Sequence, residues 1–253
     1  MIFLIELGKI FRRKFNYLFS IIILTISLGV LYKMDSLTNF YDYTEVDVIF
    51  NIIFKIILIL VIFIMGINYI YSYREDYTSK VSTLIMINKK KTIRDFSSIL
   101  ANLVFFLVYY LIMISFVIAI LFFKYKETFI KIKGVLNLNS HLYAYIIMII
   151  LILIFSNLIF LLMLTLFNDA NIAIALSLLY FVGGDVIAKL LESRISFLSE
   201  RIDNSILTVF EKGISYLNQF IDFRLMIFLP LVLNIVGLVL VIFVVRLIKR
   251  VVS

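Results

Sequence analysis

The candidate functional residues of this chain are charged residues that lie between two long apolar segments. The stretch from Tyr71 to Phe96 reads YSYREDYTSKVSTLIMINKKKTIRDF. Acidic residues near the start of this stretch and basic residues near its end complement a helix dipole, so the pattern predicts a short amphipathic helix within 72–96. The chemistry that such a helix supplies is charge-guided docking of a soluble partner. The candidate contact residues are Arg74, Glu75, Asp76, Lys80, Leu84, Lys89, Lys90, Lys91 and Arg94.

The residue types that catalysis usually needs are scarce. The chain has no cysteine and a single histidine, His141, so neither thiolate chemistry nor a histidine and cysteine metal site is expected. It has no GxxxxGK[ST] phosphate loop, and no serine and lysine or two carboxylates fall together inside a predicted span. The sequence therefore predicts a protein that is not an enzyme and binds no metal or cofactor itself.

Composition places the chain in the membrane. Of its 253 residues 64% are hydrophobic and one is proline, which is far more apolar than a soluble domain. The formal charge of +8 comes from basic clusters beside apolar runs, where they face anionic lipid headgroups. A nucleic-acid partner is therefore not expected.

Six hydrophobic segments are long enough to cross about 30 Å of hydrocarbon at a rise of about 1.5 Å per residue. We expect one transmembrane domain over residues 1–253, of the all-α class, with the 72–96 helix as a cytoplasmic segment between the second and third spans. The six predicted spans lie at 17–32, 48–70, 97–123, 142–167, 171–190 and 225–247.

Two further segments have an amphipathic pattern. In residues 1–16 the apolar side chains Phe3, Leu7 and Ile10 have helical spacing, with charged residues at the other positions, which predicts a helix lying in the membrane interface. Residues 191–222 repeat apolar side chains every three to four positions with charges between them. We expect one or two extracellular amphipathic helices there, between spans five and six.

The distribution of basic residues decides the orientation. With six spans both termini share one side, and the basic residues favour the cytoplasm for that side by a small excess. The loop from Lys124 to Lys133 runs against this rule, but the first helix usually dominates topology. Frequent Ile, Lys, Asn, Phe and Tyr are typical of an AT-rich bacterial genome. We therefore expect a multi-pass protein of the bacterial cell membrane with both termini cytoplasmic.

Few ionisable side chains fall inside the predicted spans, so no ion or proton pathway is expected. Lys55 and Asp185 lie near outer span ends. There we expect the Lys55 side chain to extend to the membrane interface and the Asp185 carboxylate to contact water. Four asparagines are expected to form hydrogen bonds between helices. They are Asn68, Asn102, Asn157 and Asn234.

Over its whole length this set of elements resembles the permease subunit of an ABC-2-type ABC exporter. In that family the loop between spans two and three has an acidic residue, a Gly-Thr-Leu-like stretch, then Pro and Arg before the third span. The chain departs from that pattern because its loop has no glycine and Asn88-Lys89 replaces the proline. The positions that match are Glu75 or Asp76 for the acidic residue, Thr83-Leu84 for the Thr-Leu, and Lys91 or Arg94 for the basic residue.

The resemblance implies partners. Residues 72–96 would be the cytoplasmic coupling segment, on which a soluble ABC ATPase subunit that carries ATP and Mg²⁺ would dock. Two permease protomers, expected to be identical, would assemble with two ATPase subunits. Cargo would pass between protomers along spans one, two and five. By size and composition the chain is most similar to small exporters of amphipathic peptides in low-GC Gram-positive bacteria, such as those for phenol-soluble modulins and for self-immunity to bacteriocins.

Two other classes of function stay open. A non-transporting immunity or scaffold protein that sequesters a peptide in the bilayer would need the same spans but no ATPase. A membrane enzyme acting on lipid would need site residues that the sequence does not offer. A neighbouring gene for a stand-alone ATPase favours the exporter over both.

Overall fold

The computed structural model describes residues 2–37, 43–78, 91–124, 138–167, 169–194, 205–218 and 228–252. The ordered elements of these residues are all helices. They are α1 (Ile2–Arg12), α2 (Lys14–Leu37), α3 (Tyr43–Thr78), α4 (Lys91–Lys124), α5 (Leu138–Phe167), α6 (Ala170–Arg194), α7 (Val209–Asn218) and α8 (Leu229–Val252). The all-α prediction is confirmed for this part of the chain.

Five helices are long and apolar enough to cross a membrane. The helices α1 and α2 meet that test only together, as a pair bent by 58° at Arg13, which makes six if the pair is one broken span. Long apolar helices of this kind indicate a multi-pass membrane protein. The five candidate spans are Ile53–Glu75, Ile93–Ile120, Tyr143–Phe167, Ala170–Arg194 and Leu229–Lys249.

Two helices form the centre of the bundle. The spans of α3 and α5 are 61% and 67% buried, whereas those of α6 and α8 are each 17% buried. The central helices approach closely at Gly66, where the ring of Phe160 occupies the space that a Cβ atom would need. The peripheral helices turn broad apolar faces outward, as expected for side chains that meet lipid.

The two chain ends lie at the same end of the bundle, which we call the termini end. There α1 and the start of α2 meet the last turns of α3, α1 packs on α4, and the last turns of α8 meet the first turns of α4. Lys249 of α8 also donates to the carbonyl oxygen of Leu166 at the end of α5. Every charged contact described below at this end involves a helix terminus.

The helix bounds revise the predicted coupling segment at both of its edges. The first residues of 72–96 continue α3 as far as Thr78, and the last ones begin α4 at Lys91. These ends are therefore extensions of two long helices rather than parts of a separate short one. Residues 79–90, which hold Lys80, Leu84, Lys89 and Lys90, lie outside the described residues.

The outer segment is described in part. Residues 191–194 end α6, residues 195–204 and 219–227 lie outside the described residues, and α7 forms the rest of the predicted amphipathic stretch. Phe210 and Ile214 of α7 are buried, and α7 packs on α3, α5 and α8. The predicted apolar face of this helix therefore meets the bundle at the end opposite to the termini.

Candidate functional site

A carboxylate at the start of α4 joins two arginines. Asp95 is 3% exposed, and its Oδ1 atom accepts a hydrogen bond from Arg94 Nη1 at 3.2 Å. Its Oδ2 atom accepts from Arg246 Nη2 in α8 at 2.6 Å. The last helix of the chain is thus bonded to the first turns of α4 through one partly buried ion pair, and charge-assisted bonds of this kind are among the strongest that side chains make.

Arg94 continues the contact from α4 to α3. Its Nη2 atom donates to the carbonyl oxygen of Ser72 at 3.2 Å, and its guanidinium carbon lies 4.8 Å from the centre of the Tyr73 ring. The side chain is 3% exposed in total. Arg94 was predicted to face a partner protein, and the structure places it inside the bundle, among atoms of its own chain.

The N-terminal helix turns a charged residue inward. Glu6 is 3% exposed, where its Oε2 atom accepts from the Ser72 hydroxyl at 3.1 Å and its Oε1 atom accepts from Lys9 Nζ at 2.8 Å. In contrast, Leu4 and Ile5 of α1 are 67% and 52% exposed. Exposed apolar side chains on a membrane bundle are those that can meet lipid, so these two fit the predicted interfacial helix, whereas the buried Glu6 does not lie on a water-facing surface. The polar face of α1 is therefore partly an internal contact surface.

Arg13 occupies the break between α1 and α2. Its Nη1 atom donates to the carbonyl oxygen of Asn68 at 2.7 Å and to the Asn68 Oδ1 atom at 3.3 Å, and its Nη2 atom donates to Glu75 Oε2 at 2.8 Å. Asn16 lies beside it, accepts from Asn68 Nδ2 at 2.5 Å and donates to the carbonyl oxygen of Ile10 at 2.8 Å. The bend is thus filled by polar groups that satisfy one another.

Together these contacts form what we call the termini-end network. It joins α1, the α1–α2 break, α3, α4 and α8 through ion pairs and hydrogen bonds. Charges that are buried in a bundle need such partners, because an unpaired one is costly away from water. Its members are Glu6, Lys9, Arg13, Asn16, Asn68, Ser72, Glu75, Arg94, Asp95 and Arg246.

The predicted contact residues are divided by the structure. Arg74 is exposed near the end of α3, and Glu75 is 62% exposed at its side chain although it binds Arg13. Asp76 and Lys91 lie in the described ends of α3 and α4, but their side chains lie outside the description. Of the predicted set, the structure places Glu75 and Arg94 in the termini-end network.

Sequence reasoning missed the pairing of the other charged members of the network, although it predicted an interhelical role for Asn68. Arg13 and Arg246 counted among the basic residues that set the orientation, and Arg13 and Glu6 among the charged residues of the predicted interfacial helix. One signal was available for Asp95, because an acidic residue just before a long apolar run needs a nearby cation. Which cation serves it is a matter of tertiary packing.

A second polar layer lies deeper in the bundle. Asn102 Nδ2 donates to Asn157 Oδ1 at 3.1 Å and to the carbonyl oxygen of Met65 at 3.2 Å, which joins α4, α5 and α3. With the bonds between Asn68 and Asn16, this confirms the interhelical role predicted for Asn68, Asn102 and Asn157. The Asn234 amide donates to the carbonyl oxygen of Pro230 in its own helix at 2.8 Å.

The charged residues predicted near the outer span ends form ion pairs. Lys55 of α3 lies 3.7 Å from Glu211 of α7, and Asp185 lies 2.5 Å from Lys189 one turn along α6. The Tyr180 hydroxyl donates to the carbonyl oxygen of Ile206, just before α7. These contacts fix α7 over α3 and α6, so Lys55 serves a structural pair. His141 has no described side chain.

We expect α7 to be held by its apolar face more than by its ion pair. Glu211→Gln should lower the free energy of unfolding by less than about 1 kcal/mol, because exposed pairs are screened by water. Phe210→Ala should lower it by about 3–5 kcal/mol, because it opens a cavity under a buried ring. Thermal midpoints of the two variants in one detergent check this, and equal losses would contradict it.

Among the described residues no group of His, Cys, Asp and Glu has the arrangement of a metal site. The termini-end network has a structural role, because it holds the ends of several helices in one arrangement.

Comparison of the chain with protein-family models, with curated proteins and with solved structures gave no match.

Proposed function

We propose that this chain is the membrane-spanning subunit of an ATP-driven exporter, with ATP and Mg²⁺ bound by a separate soluble ATPase subunit. The observation that supports this most is that the helices on both sides of residues 79–90 form ion pairs with residues that are far from them in the sequence. Glu75 in α3 binds Arg13, and Asp95 in α4 binds Arg246. A force applied to the connection between α3 and α4 is therefore passed to the first and last helices.

The mechanism that follows is rigid-body movement. Closure of an ATPase dimer on ATP would displace the connection between α3 and α4, and the spans would move with it as packed bodies. We infer a two-plus-two assembly with a second, identical permease protomer, six spans with α1 and α2 as one broken span, and both termini in the cytoplasm of a bacterial cell.

The proposed cargo is an amphipathic peptide or a lipid-like molecule. The outward faces of the peripheral helices are apolar, with Ile21 and Ile26 on α2 and Leu179 and Val182 on α6 between 40% and 71% exposed. A path between two protomers along such faces suits a molecule with one apolar side. It does not suit a small ion, which needs polar groups at membrane depth.

The test is co-purification of the tagged chain in detergent from its native host, with identification of bound proteins. The variant Lys89→Glu plus Lys90→Glu reverses two charges of the proposed docking segment. The matched control is Lys131→Glu plus Lys133→Glu, which makes the same change in the connection between α4 and α5. Changes at Glu75 are avoided, because that carboxylate already binds Arg13 within the chain.

We expect a soluble ATPase to accompany the native chain and the control but not the Lys89 and Lys90 variant. An ATPase bound equally by all three would contradict docking through these lysines. No ATPase with any of them would favour the alternative function, a membrane immunity or scaffold protein that sequesters a peptide.

A further inference from the structure

We propose that α1 is a positioning helix, which holds the end of α3 and the start of α4 in a fixed relation through Arg13 and Glu6. If the exporter proposal is correct, α1 thereby sets the position of the connection on which the ATPase acts. That second step rests on the proposed function. The positional role itself rests on contacts among the described residues.

Arg13 contacts α3 at two points within the last three turns of that helix. Its acceptors, the Asn68 carbonyl oxygen and Glu75 Oε2, belong to residues two helical turns apart on one face, or about 10 Å along the axis. The planar guanidinium presents several donors in a rigid fork, so one side chain can bind both acceptors at once. Because Arg13 lies at the bend between α1 and α2, its bonds to α3 also fix the position of that bend.

Glu6 and Ser72 extend this contact to α4. The Ser72 hydroxyl donates to Glu6, and the Ser72 carbonyl oxygen accepts from Arg94. One residue of α3 is therefore bonded to α1 on one side and to α4 on the other. A shift of α4 along α3 would break the Arg94 bond, and a shift of α1 would break the Glu6 bond.

Direct packing between α1 and α4 completes the triangle of helices. The rings of Phe11 and Phe105 meet edge to face with centroids 4.9 Å apart. Ile10 is buried at 4% exposure, and Phe3 and Leu7 pack against the same core. Each of the three helices α1, α3 and α4 thus touches the other two.

Buried polar contacts of this kind are better at specifying an arrangement than at adding stability. Desolvation of Glu6 and Arg13 offsets much of the attraction that they gain, whereas a wrong register leaves a charge unpaired and is strongly penalised. A helix needed only to anchor the chain in lipid would gain more from apolar side chains at these positions. The choice of charged residues therefore favours a positional role.

Distances between spin labels test the positional role without any partner protein. The native chain has no cysteine, so Tyr71→Cys in α3 and Phe96→Cys in α4 can be labelled selectively. Both side chains are exposed, at 39% and 68%. In the labelled parent we expect one narrow distance distribution, and in Arg13→Gln we expect the loss of that single narrow peak.

The matched control is Arg12→Gln, the same change at the exposed neighbouring residue that ends α1. It should leave the distribution unchanged. If Arg13→Gln fails to fold, Glu75→Ala replaces it, because it removes one acceptor of Arg13 at an exposed site and keeps the bonds to Asn68. An unchanged distribution in the folded Arg13 variant, or in Glu75→Ala where that variant stands in, overturns the proposal.

A second measurement separates this proposal from the exporter proposal. In the complex purified with its ATPase, Arg13→Gln should retain the bound ATPase but lose the stimulation of ATP hydrolysis that the native membrane subunit gives over the isolated ATPase, with Arg12→Gln unaffected. Stimulation equal to that of the native complex would overturn the link between α1 and coupling. If no ATPase accompanies even the native chain, the exporter proposal fails, and the label distances still decide the positional role.

Discussion

Replacing Asp95 by alanine is expected to destabilise the folded protein severely. The substitution leaves the Arg94 and Arg246 guanidinium groups without the carboxylate that both bind, and the Arg94 side chain is 3% exposed. Removing one partner of a buried ion pair typically costs about 3–5 kcal/mol, because the remaining charge is left unpaired away from water. The thermal midpoint of the purified protein in detergent should fall accordingly, together with the yield of monodisperse protein.

The matched control is Asp185→Ala in α6. That carboxylate also binds one basic side chain, but its partner Lys189 is 72% exposed and remains hydrated when the pair is lost. We therefore expect only a small change in its midpoint. Asp95→Asn should fall between the two, because the amide oxygen still accepts one hydrogen bond but carries no charge. Equal midpoints for Asp95→Ala and Asp185→Ala would show that the termini-end network carries little of the stability.

The spans were predictable because their signal is local. A run of apolar side chains long enough to cross hydrocarbon appears in the sequence itself, and the predicted span 142–167 agrees with the observed Tyr143–Phe167. The predicted span 48–70 ends earlier than the observed Ile53–Glu75, because α3 continues as a helix through charged residues. The span prediction followed apolarity alone and therefore stopped where polar and charged residues begin, although such residues can continue a helix.

The termini-end network was not predictable, because its partners are far apart in sequence. Arg13 and Glu75 are 62 positions apart, and Asp95 and Arg246 are 151 positions apart. Which cation meets which carboxylate is settled only when the helices pack, and no residue pattern records it. The same limit explains the burial of Glu6, since its helical spacing indicates a face but not what that face contacts.

Replacing Gly66 by alanine is expected to separate the two central helices. A Cβ atom at this position would overlap the ring of Phe160, which is 1% exposed and packs against Phe181 with centroids 5.4 Å apart. Inserting atoms into a packed core costs about 1–3 kcal/mol, which exceeds the gain of up to about 1 kcal/mol from replacing glycine in a helix. The net effect is therefore a loss of stability, measured as a lower thermal midpoint.

Two glycines and one double variant make this prediction specific. At Gly29 and Gly237 an added Cβ would meet nothing within 4 Å, so alanine there should leave the midpoint unchanged or raise it slightly. Phe160→Ala alone should cost about 3–5 kcal/mol through the cavity that it opens. In combination with Phe160→Ala the Gly66 change should cost little, because its methyl group then enters empty space. Additive losses in the double variant would contradict the steric explanation, because two residues that compete for the same space must couple.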